Sequence, residues 1–317
     1  MFCVLDDASI GHAAMTKRFA VFCPGQGAQH AAMFALTEHA PLQAMPTWRS
    51  DALQAILSDS ADLFANRHAQ PLIVAVGMTR WQALRSSLPL PSLIAGYSVG
   101  ELTAYGVAGA LDSASVIALA GARAAAMDRC VAPDQPQAMV AVSGLRCDQL
   151  LPILQQYSLA IAIQNDRDRM VVGGLAQHCA QAEQILLALG ASCQRLPVTV
   201  ASHTPLMKNA AAEFAVALEK CCWLPMSAPV LAGVDAGKIR TAPQAMTALR
   251  AQLTDTIDWH DCMDACIENG IEVVLELGPG TALSRMMTTR HPSVACRSLD
   301  EFRSLGAASD WLLRQLS

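Results

Sequence analysis

The sequence predicts an α/β protein in two parts, a large domain with a mainly parallel sheet and a small domain inserted into it. Three observations predict this arrangement. Short apolar runs alternate with helix-forming segments along most of the chain. The elements become shorter and more regular between residues 132 and 198. The chain has 317 residues, 53% hydrophobic and 15% charged, which suffices for about two well-packed domains. We expect the large domain to comprise residues 1–131 and 199–317, and the small domain residues 132–198.

The first half of the large domain begins with a buried strand over 19–23 (FAVFC), which stops at a Pro-Gly turn. Helical patterns follow through Arg85. A second buried strand is predicted over 92–96, and helix formers start at Val99, giving strand, sharp turn and helix. Asp112 or Ser113 can cap a further long helix that runs to about Arg129.

The middle segment predicts six short elements in the order β-α-β-β-α-β, which is the ferredoxin-like arrangement. The predicted strands and helices span 138–142, 148–156, 159–163, 170–173, 176–189 and 193–198. The ends of such a unit can lie close together, so we interpret it as an insertion.

The chain then returns to the large domain. We predict a helix over 205–221, a strand near Val230, helices through Asn269, and a strand over 271–277 that stops at a Gly-Pro-Gly turn.

Composition excludes several classes of function. The chain has 22 basic and 27 acidic side chains, for a net charge of −5, so no broad footprint for nucleic acid or an anionic membrane is expected. No uncharged apolar run is long enough for a transmembrane helix, and the first 14 residues lack the pattern of a signal peptide. The eleven cysteines form no CxxC pair, which favours reduced thiols and a cytoplasmic protein without a zinc site. No motif for a metal, a redox cofactor or a phosphate loop is present.

The segment 96–100 (GYSVG) fits the pattern G-x-S-x-G, with a strand before it and a helix after it. The two glycines leave room for a serine on a strained turn that exposes the Ser98 hydroxyl. The amide of Val99 then points to where an oxyanion would form. A tight turn that only favours small residues would give the same pattern.

A serine nucleophile needs a base, and His203 is the histidine whose position favours this role. It lies where the chain leaves the small domain and re-enters the large one, and loops at such junctions commonly line a cleft. A structural loop histidine is the alternative. A serine hydrolase of the usual chain order would instead use His260 or His291, with Asp258 or Glu276 as the acid.

Four ordered motifs resemble those of the malonyl-CoA:acyl-carrier-protein transacylases, and the match runs from about Phe19 into the C-terminal region. The motifs are 24–29 (PGQGAQ), 96–101 (GYSVGE), 202–207 (SHTPLM) and 276–280 (ELGPG). The resemblance implies a hydrolase-like α/β domain with a ferredoxin-like insertion, which agrees with the segment predictions. It also implies two partners, malonyl-CoA and an acyl carrier protein with a phosphopantetheine-type arm, and no cofactor.

The resemblance assigns roles to individual residues. Ser98 would be the nucleophile and His203 its base, and the backbone amide of Gln26 would complete the oxyanion hole with Val99. Arg123 matches an arginine that holds the free malonyl carboxylate, a role suited to a guanidinium fork. Gln252 matches a glutamine whose main-chain carbonyl orients the histidine.

One departure concerns the residues beside the nucleophile. Most fatty-acid-synthesis members have histidine and leucine there, whereas this chain has Tyr97 and Val99. The segment GYSVGE resembles instead the transacylase (epsilon) subunit of malonate decarboxylase, whose carrier has a phosphoribosyl-dephospho-CoA arm. The resemblance therefore implies malonyl transfer, with other malonate decarboxylase subunits as further partners. The alternatives are a transacylase of fatty acid or polyketide synthesis, a serine hydrolase, or an inactive carrier-binding subunit.

Overall fold

A computed structural model of the chain describes residues 17–37 and 50–317. The N-terminal segment without a signal-peptide pattern, together with His12 and His39, lies outside the described residues. The strands in chain order are β1 (Arg18–Cys23), β2 (Leu93–Gly96), β3 (Gln137–Ser143), β4 (Ala160–Asp166), β5 (Arg169–Leu175), β6 (Ser192–Arg195), β7 (Val230–Leu231), β8 (Lys238–Ile239), β9 (Ile257–Asp258), β10 (Ile271–Glu276) and β11 (Ala295–Ser298).

Helices cover and connect these strands. They are α1 (Ser50–Ser58), α2 (Ser60–Phe64), α3 (Asn66–Leu84), α4 (Gly100–Val107), α5 (Ser113–Asp128), α6 (Cys147–Gln156), α7 (Ala176–Ala188), α8 (Lys208–Glu219), α9 (Ala242–Thr254), α10 (Trp259–Glu268), α11 (Ala282–Arg290) and α12 (Leu305–Leu316).

The large sheet has the strand order β11-β10-β1-β2-β7-β8, and its pairs are parallel except for the β7–β8 hairpin. Side chains of β1 alternate between two cores: Phe19 and Val21 pack on one face, Ala20 and Phe22 on the other. Both faces are buried because helices and the second sheet cover them, which explains why this strand is a continuous apolar run. The predicted α/β class with a mainly parallel sheet is confirmed.

The small sheet has the order β6-β3-β5-β4-β9. Its pairs β3–β5, β3–β6 and β4–β5 are antiparallel, as the β-α-β-β-α-β pattern predicts. One face packs on α6 and α7 around side chains such as Val140 and Leu150. Met139 and Val171 belong instead to a core shared with the large sheet, where Trp259 is fully buried. The domain boundaries at 131/132 and 198/199 remain a prediction.

The structure differs from the predicted elements at three places, of which the first is β8 (Lys238–Ile239), a hairpin strand paired with β7 inside a stretch predicted as helical. The strand predicted over 193–198 ends at Arg195, because Pro197 has no amide hydrogen to continue the ladder. Residues 257–258, predicted within a helical stretch, form β9, which pairs parallel with β4. A two-residue strand is defined only by its pairing with the neighbouring strand, and it is too short to show a periodic hydrophobic pattern in the sequence. Among the described residues, no helix is both long and apolar enough to cross a membrane.

Candidate active site

The turn at Ser98 depends on the glycines on either side of it. Ser98 has a φ of +53°, in the left-handed region that few L-residues adopt. A Cβ on Gly96 would lie 2.3 Å from the backbone of Glu101, and a Cβ on Gly100 would lie 2.1 Å from the carbonyl oxygen of Cys23. The turn at the end of β2 can therefore form only because both flanking residues lack side chains.

Ser98 and His203 are in direct contact. The Ser98 Oγ lies 2.8 Å from His203 Nε2, although the two residues are 105 positions apart in the sequence. Ser98 is partly exposed, whereas His203 is buried. The distance is within the range over which a histidine can take a serine proton.

Two main-chain carbonyls of α9 hold His203 in place. The ring Nδ1 donates to the Gln252 carbonyl oxygen at 2.5 Å, and the His203 amide donates to the Leu253 carbonyl at 3.0 Å. Because Nδ1 has a carbonyl partner, Nε2 is left free of its proton and can accept one from Ser98. A carbonyl thus occupies the position that a carboxylate takes in a catalytic triad.

The side chain of Gln252 joins three other parts of the site. Its Nε2 donates to the Ser98 carbonyl oxygen at 3.1 Å and to Glu101 Oε2 at 2.6 Å. Its Oε1 accepts a hydrogen bond from Arg123 at 3.1 Å. Gln252 therefore acts through both its backbone and its side chain.

Arg123 is buried, linked to Ser98 through the Gln252 side chain, and bound by two amide oxygens. Its second terminal nitrogen donates to Gln70 Oε1 at 2.8 Å, and Gln70 in turn donates to Asn66 at 2.6 Å. Burial lowers the pKa of Arg123 to about 10, and the nearby Glu101 carboxylate partly offsets this. The guanidinium is thus a buried cation held by neutral groups.

Burial and the charge of Arg123 lower the pKa of His203 to about 3, although the Gln252 carbonyl acts in the opposite direction. This histidine is accordingly neutral at any pH near 7. A neutral imidazole is the form that can accept a proton.

Two backbone amides beside Ser98 are free to receive an oxyanion. Toward acceptors in the described part of the chain, neither the Gln26 amide nor the Val99 amide donates a hydrogen bond. Gly25 holds the Gln26 turn close, since a Cβ there would lie 3.3 Å from the Ser98 Cβ. Amides arranged in this way can stabilise a negative charge that develops on a carbonyl oxygen.

The site opens into a cleft of about 400 Å³ between the two sheets. Gln26, Ser98 and His203 line one wall, and apolar side chains of the small sheet such as Met139 and Ile163 line the other. Tyr97 closes one side, its hydroxyl donating to Asn165 at 3.1 Å. A larger groove of about 650 Å³ between α8 and α9 contains neither Ser98 nor His203.

The alternative triads are not assembled. His291 contacts Asp264 at 2.7 Å, and His260 lies 3.1 Å from Asp261, both away from Ser98. Glu276 accepts hydrogen bonds from the first amides of α11, and burial raises its pKa to about 7.

Asp258 ends β9 directly before α10, and in the described chain its side chain has no hydrogen bond to a histidine. Residues 17–37 and 50–317 contain no cluster of three or more His, Cys, Asp or Glu side chains arranged for a metal ion.

Sequence reasoning missed two members of the site. Glu101 belongs to the motif 96–101 and Gln70 to a helical stretch, but neither was given a role. Glu101 and Gln70 are both fully buried. Glu101 accepts a hydrogen bond from Gln252, and Gln70 accepts one from Arg123. A buried glutamate one turn after a G-x-S-x-G serine is the one signal that could have identified Glu101.

Together, the parallel sheet, the serine on its tight turn and the histidine beside it form an arrangement typical of α/β enzymes that transfer acyl groups through a serine. Comparison with known sequences is more specific. The profile of the acyl transferase domain family matches residues 21–290. The chain belongs to this family.

Named relatives agree over nearly the whole chain. The malonyl CoA-acyl carrier protein transacylase of Haemophilus influenzae is 28% identical over 312 residues, covering 94% of this chain and all of the relative. The enzyme of that name from Mycobacterium tuberculosis is 30% identical over 302 residues, covering 90% of this chain and 99% of the relative.

Solved structures share the fold. The malonyl CoA-acyl carrier protein transacylase of Coxiella burnetii superposes with a TM-score of 0.86 at 26% identity, covering 95% of this chain and 98% of its own. A malonyl-transacylase determined in complex with a type II polyketide acyl-carrier protein gives a TM-score of 0.86 at 27% identity, covering 93% of this chain and 99% of its own.

Proposed function

We propose that this protein transfers a malonyl group from malonyl-CoA to the thiol of an acyl carrier protein, through a malonyl ester on Ser98. The observation that carries the proposal is the Ser98–His203 pair at 2.8 Å, to which a buried arginine, Arg123, is linked through Gln252. The relatives named above support the choice of malonyl-CoA and a carrier protein, since both are in their names.

In the first half-reaction, His203 Nε2 takes the hydroxyl proton as Ser98 Oγ attacks the thioester carbonyl carbon. The carbonyl oxygen becomes an oxyanion that the amides of Gln26 and Val99 stabilise; loss of one such donor typically costs about 10²-fold in rate. The tetrahedral intermediate then collapses, the carbon–sulfur bond breaks, and His203 returns the proton to the CoA sulfur. The products are malonyl-Ser98 and CoA.

The second half-reaction reverses these steps with a different thiol. His203 takes the proton of the carrier thiol, whose sulfur attacks the ester carbonyl carbon. The bond to Ser98 Oγ breaks, and the proton returns to the serine. No carboxylate partner is needed, because the Gln252 carbonyl holds the Nδ1 proton and stabilises the imidazolium that forms transiently.

Arg123 supplies selectivity for an acyl group with a free carboxylate. A malonyl carboxylate would replace one of the amide oxygens that now accept from the guanidinium, those of Gln70 and Gln252. The exchange is favourable because a hydrogen bond between opposite charges is roughly twice as strong as one with a neutral acceptor. An acetyl group offers no such acceptor.

For the carrier, we propose the phosphoribosyl-dephospho-CoA arm of malonate decarboxylase, with this chain as its transacylase subunit. Support comes from Tyr97 and Val99, which stand where most fatty-acid-synthesis members have histidine and leucine. Tyr97 lines the cleft and packs edge-on against Trp259, with ring centroids 5.4 Å apart. The residue that departs from the common pattern therefore lines the cleft that contains Ser98.

The test is transfer of radiolabelled malonyl from malonyl-CoA to two carrier proteins, one with ordinary phosphopantetheine and one with the phosphoribosyl-dephospho-CoA arm. We expect transfer to both arms, with the larger kcat/KM for the second. Preference for phosphopantetheine would contradict the carrier proposal and leave the reaction intact. Release of free malonate at the same rate with and without a carrier thiol would indicate a hydrolase.

A further inference from the structure

Glu101 is a buried carboxylate that the mechanism above does not use. It lies in the first turn of α4 and is completely inaccessible to solvent. Its Oε2 accepts from Gln252 at 2.6 Å and from the Gly233 amide at 3.1 Å, and its Oε1 accepts from the Tyr105 hydroxyl at 3.3 Å. An ionisable side chain is seldom buried in this way without a partner charge.

The partner charge is Arg123. Glu101 and Arg123 are each hydrogen-bonded to a different end of the same Gln252 amide group. The other titratable groups that face Glu101 are Tyr105 on the same helix and Cys262 on α10, both with pKa values raised by burial and therefore uncharged near pH 7. Arg123 forms no salt bridge with a carboxylate anywhere in the described part of the chain.

We propose that Glu101 is a positioning residue that sets selectivity for the acyl group: its carboxylate balances the charge of Arg123 in the free enzyme, and it takes up a proton when a malonyl carboxylate binds to Arg123. The inference rests on the proposed function, in which Arg123 holds that carboxylate. It assigns to Gln252 the task of linking the two charges without bringing them into contact.

The charge count explains why a proton is taken up. With Arg123 positive and Glu101 negative, the buried site is neutral, and a malonyl carboxylate would leave it with a net negative charge in a region of low dielectric. Protonation of Glu101 restores neutrality. Burial already raises the pKa of Glu101 to about 7, so the proton costs little near neutral pH.

The coupling has a definite sign. A second negative charge near Glu101 raises its pKa further, so malonyl binding and proton binding favour each other. Malonyl-CoA is therefore used better at low pH, relative to a thioester without a carboxylate. An acetyl group, which is uncharged, does not change the protonation of Glu101.

The first experiment measures kcat/KM for malonyl-CoA and acetyl-CoA from about pH 6 to about pH 8 in wild type, Glu101→Gln and Tyr105→Phe. Glutamine keeps the shape, accepts from Gln252 and Gly233, and can donate to the Tyr105 oxygen, so it removes only the charge. Tyr105→Phe removes one hydrogen bond to Glu101 and keeps the charge, which makes it the matched control.

In wild type, we expect the malonyl-to-acetyl ratio to fall roughly tenfold between these pH limits, as one coupled proton requires. In Tyr105→Phe the ratio should also fall with rising pH, but at higher pH than in wild type, because loss of a hydrogen bond to the carboxylate raises the pKa of Glu101. In Glu101→Gln, the ratio should not change with pH and should exceed that of wild type at the upper limit. A ratio with the same pH dependence in wild type and Glu101→Gln would overturn the proposal.

The second experiment uses only the wild-type enzyme, in case Glu101→Gln does not fold. A pH indicator in weak buffer near pH 7 follows protons during the burst in which the acyl-enzyme forms. We expect uptake of a substantial fraction of one proton per site with malonyl-CoA and none with acetyl-CoA. Malonyl-enzyme formation without proton uptake would overturn this inference alone, whereas absence of a malonyl-enzyme would overturn the proposed function.

Discussion

At the residue scale, the proposed acyl transfer requires a histidine that stays neutral. Burial and Arg123 place the pKa of His203 at about 3, well below the ordinary value near 6.5. Between about pH 3 and about pH 6.5, the unfolded chain therefore binds a proton at His203 that the folded protein does not bind. Its contribution to stability is complete above about pH 6.5 and is lost progressively as the pH falls toward 3.

We expect acylation of Ser98 by a neutral ester, such as p-nitrophenyl acetate, to continue without loss from about pH 7 down to about pH 5. The reason is that His203 remains a free base over this range. The measurement is the burst rate of p-nitrophenol release, with His203→Ala as the control that should lower the rate by about 10² to 10⁴. An acid limb with a midpoint near 6.5 would show that His203 has an ordinary basicity.

Arg123→Ala should lower kcat/KM for malonyl-CoA and leave that for acetyl-CoA unchanged or higher. A hydrogen bond from Arg123 to a carboxylate in place of a neutral amide oxygen is worth roughly 1 to 3 kcal/mol, which corresponds to a several-fold to hundred-fold preference for the carboxylated substrate. Arg123→Lys restores the charge without the fork and should recover part of the preference. A malonyl-to-acetyl ratio that is the same in wild type and Arg123→Ala would mean that another residue holds the carboxylate.

At this scale, the sequence could predict only features that depend on residues close together in the chain. The segment 96–100 predicts an exposed serine because its glycines leave room for the turn, and the position of His203 at a junction between domains predicts a residue at the cleft. Gln70, Glu101 and Gln252 meet only through the tertiary fold, since the Glu101–Gln252 contact spans 151 positions. No local pattern can predict such a contact. The roles of Arg123 and Gln252 were predicted from the family resemblance, and they remain proposals.

At the scale of elements, the strand–turn–helix unit of β2 and α4 was predicted because its requirements are steric and lie within ten residues. The helix capped by Asp112 is a second case: Asp112 accepts from the Ser115 amide at 2.7 Å, as a helix N-cap should. β8 and β9 could not be predicted, because two-residue strands are formed by the neighbour with which they pair.

Gly100→Ala tests the steric account of the turn. A methyl group there would meet the Cys23 carbonyl oxygen at 2.1 Å, so the turn must shift, and we expect a loss of about 1 to 3 kcal/mol in stability together with loss of acylation. Gly121→Ala, in α5 with open space around the added carbon, should instead stabilise by about 0.5 to 1 kcal/mol. Urea denaturation measures both, and equal effects at the two positions would contradict the account.

At the scale of the whole molecule, the cleft exists because two sheets pack around a shared core and are joined by polar contacts. Arg290, at the end of α11, binds Asp166 of β4 at 2.7 Å and Asp264 of α10 at 2.6 Å. It is 15% exposed and fixes the small sheet to the large unit beside the catalytic cleft. The two-sheet architecture followed from the order of elements, whereas this attachment did not, because it depends on three residues far apart in the chain.

Arg290→Met should loosen this junction, since the methionine fills similar space but leaves Asp166 without a cation and Asp264 with only its contact to His291. We expect stability to fall by about 1 to 3 kcal/mol and KM for malonyl-CoA to rise. The control is Arg129→Met, which breaks an exposed pair with Glu213 and should change stability much less, because solvent screens that pair. Equal losses of stability in the two variants would show that the ion pairs of Arg290 contribute no more than an ordinary surface pair.

The proposed reaction begins with acylation of Ser98 by malonyl-CoA, with His203 as the base. Intact-mass spectrometry after brief mixing with malonyl-CoA, followed by peptide mapping, tests it most directly. We expect one malonyl adduct in wild type, mapped to Ser98, that disappears on adding a carrier thiol and does not form in Ser98→Ala. An adduct that persists in Ser98→Ala, or no adduct in wild type, would contradict the account.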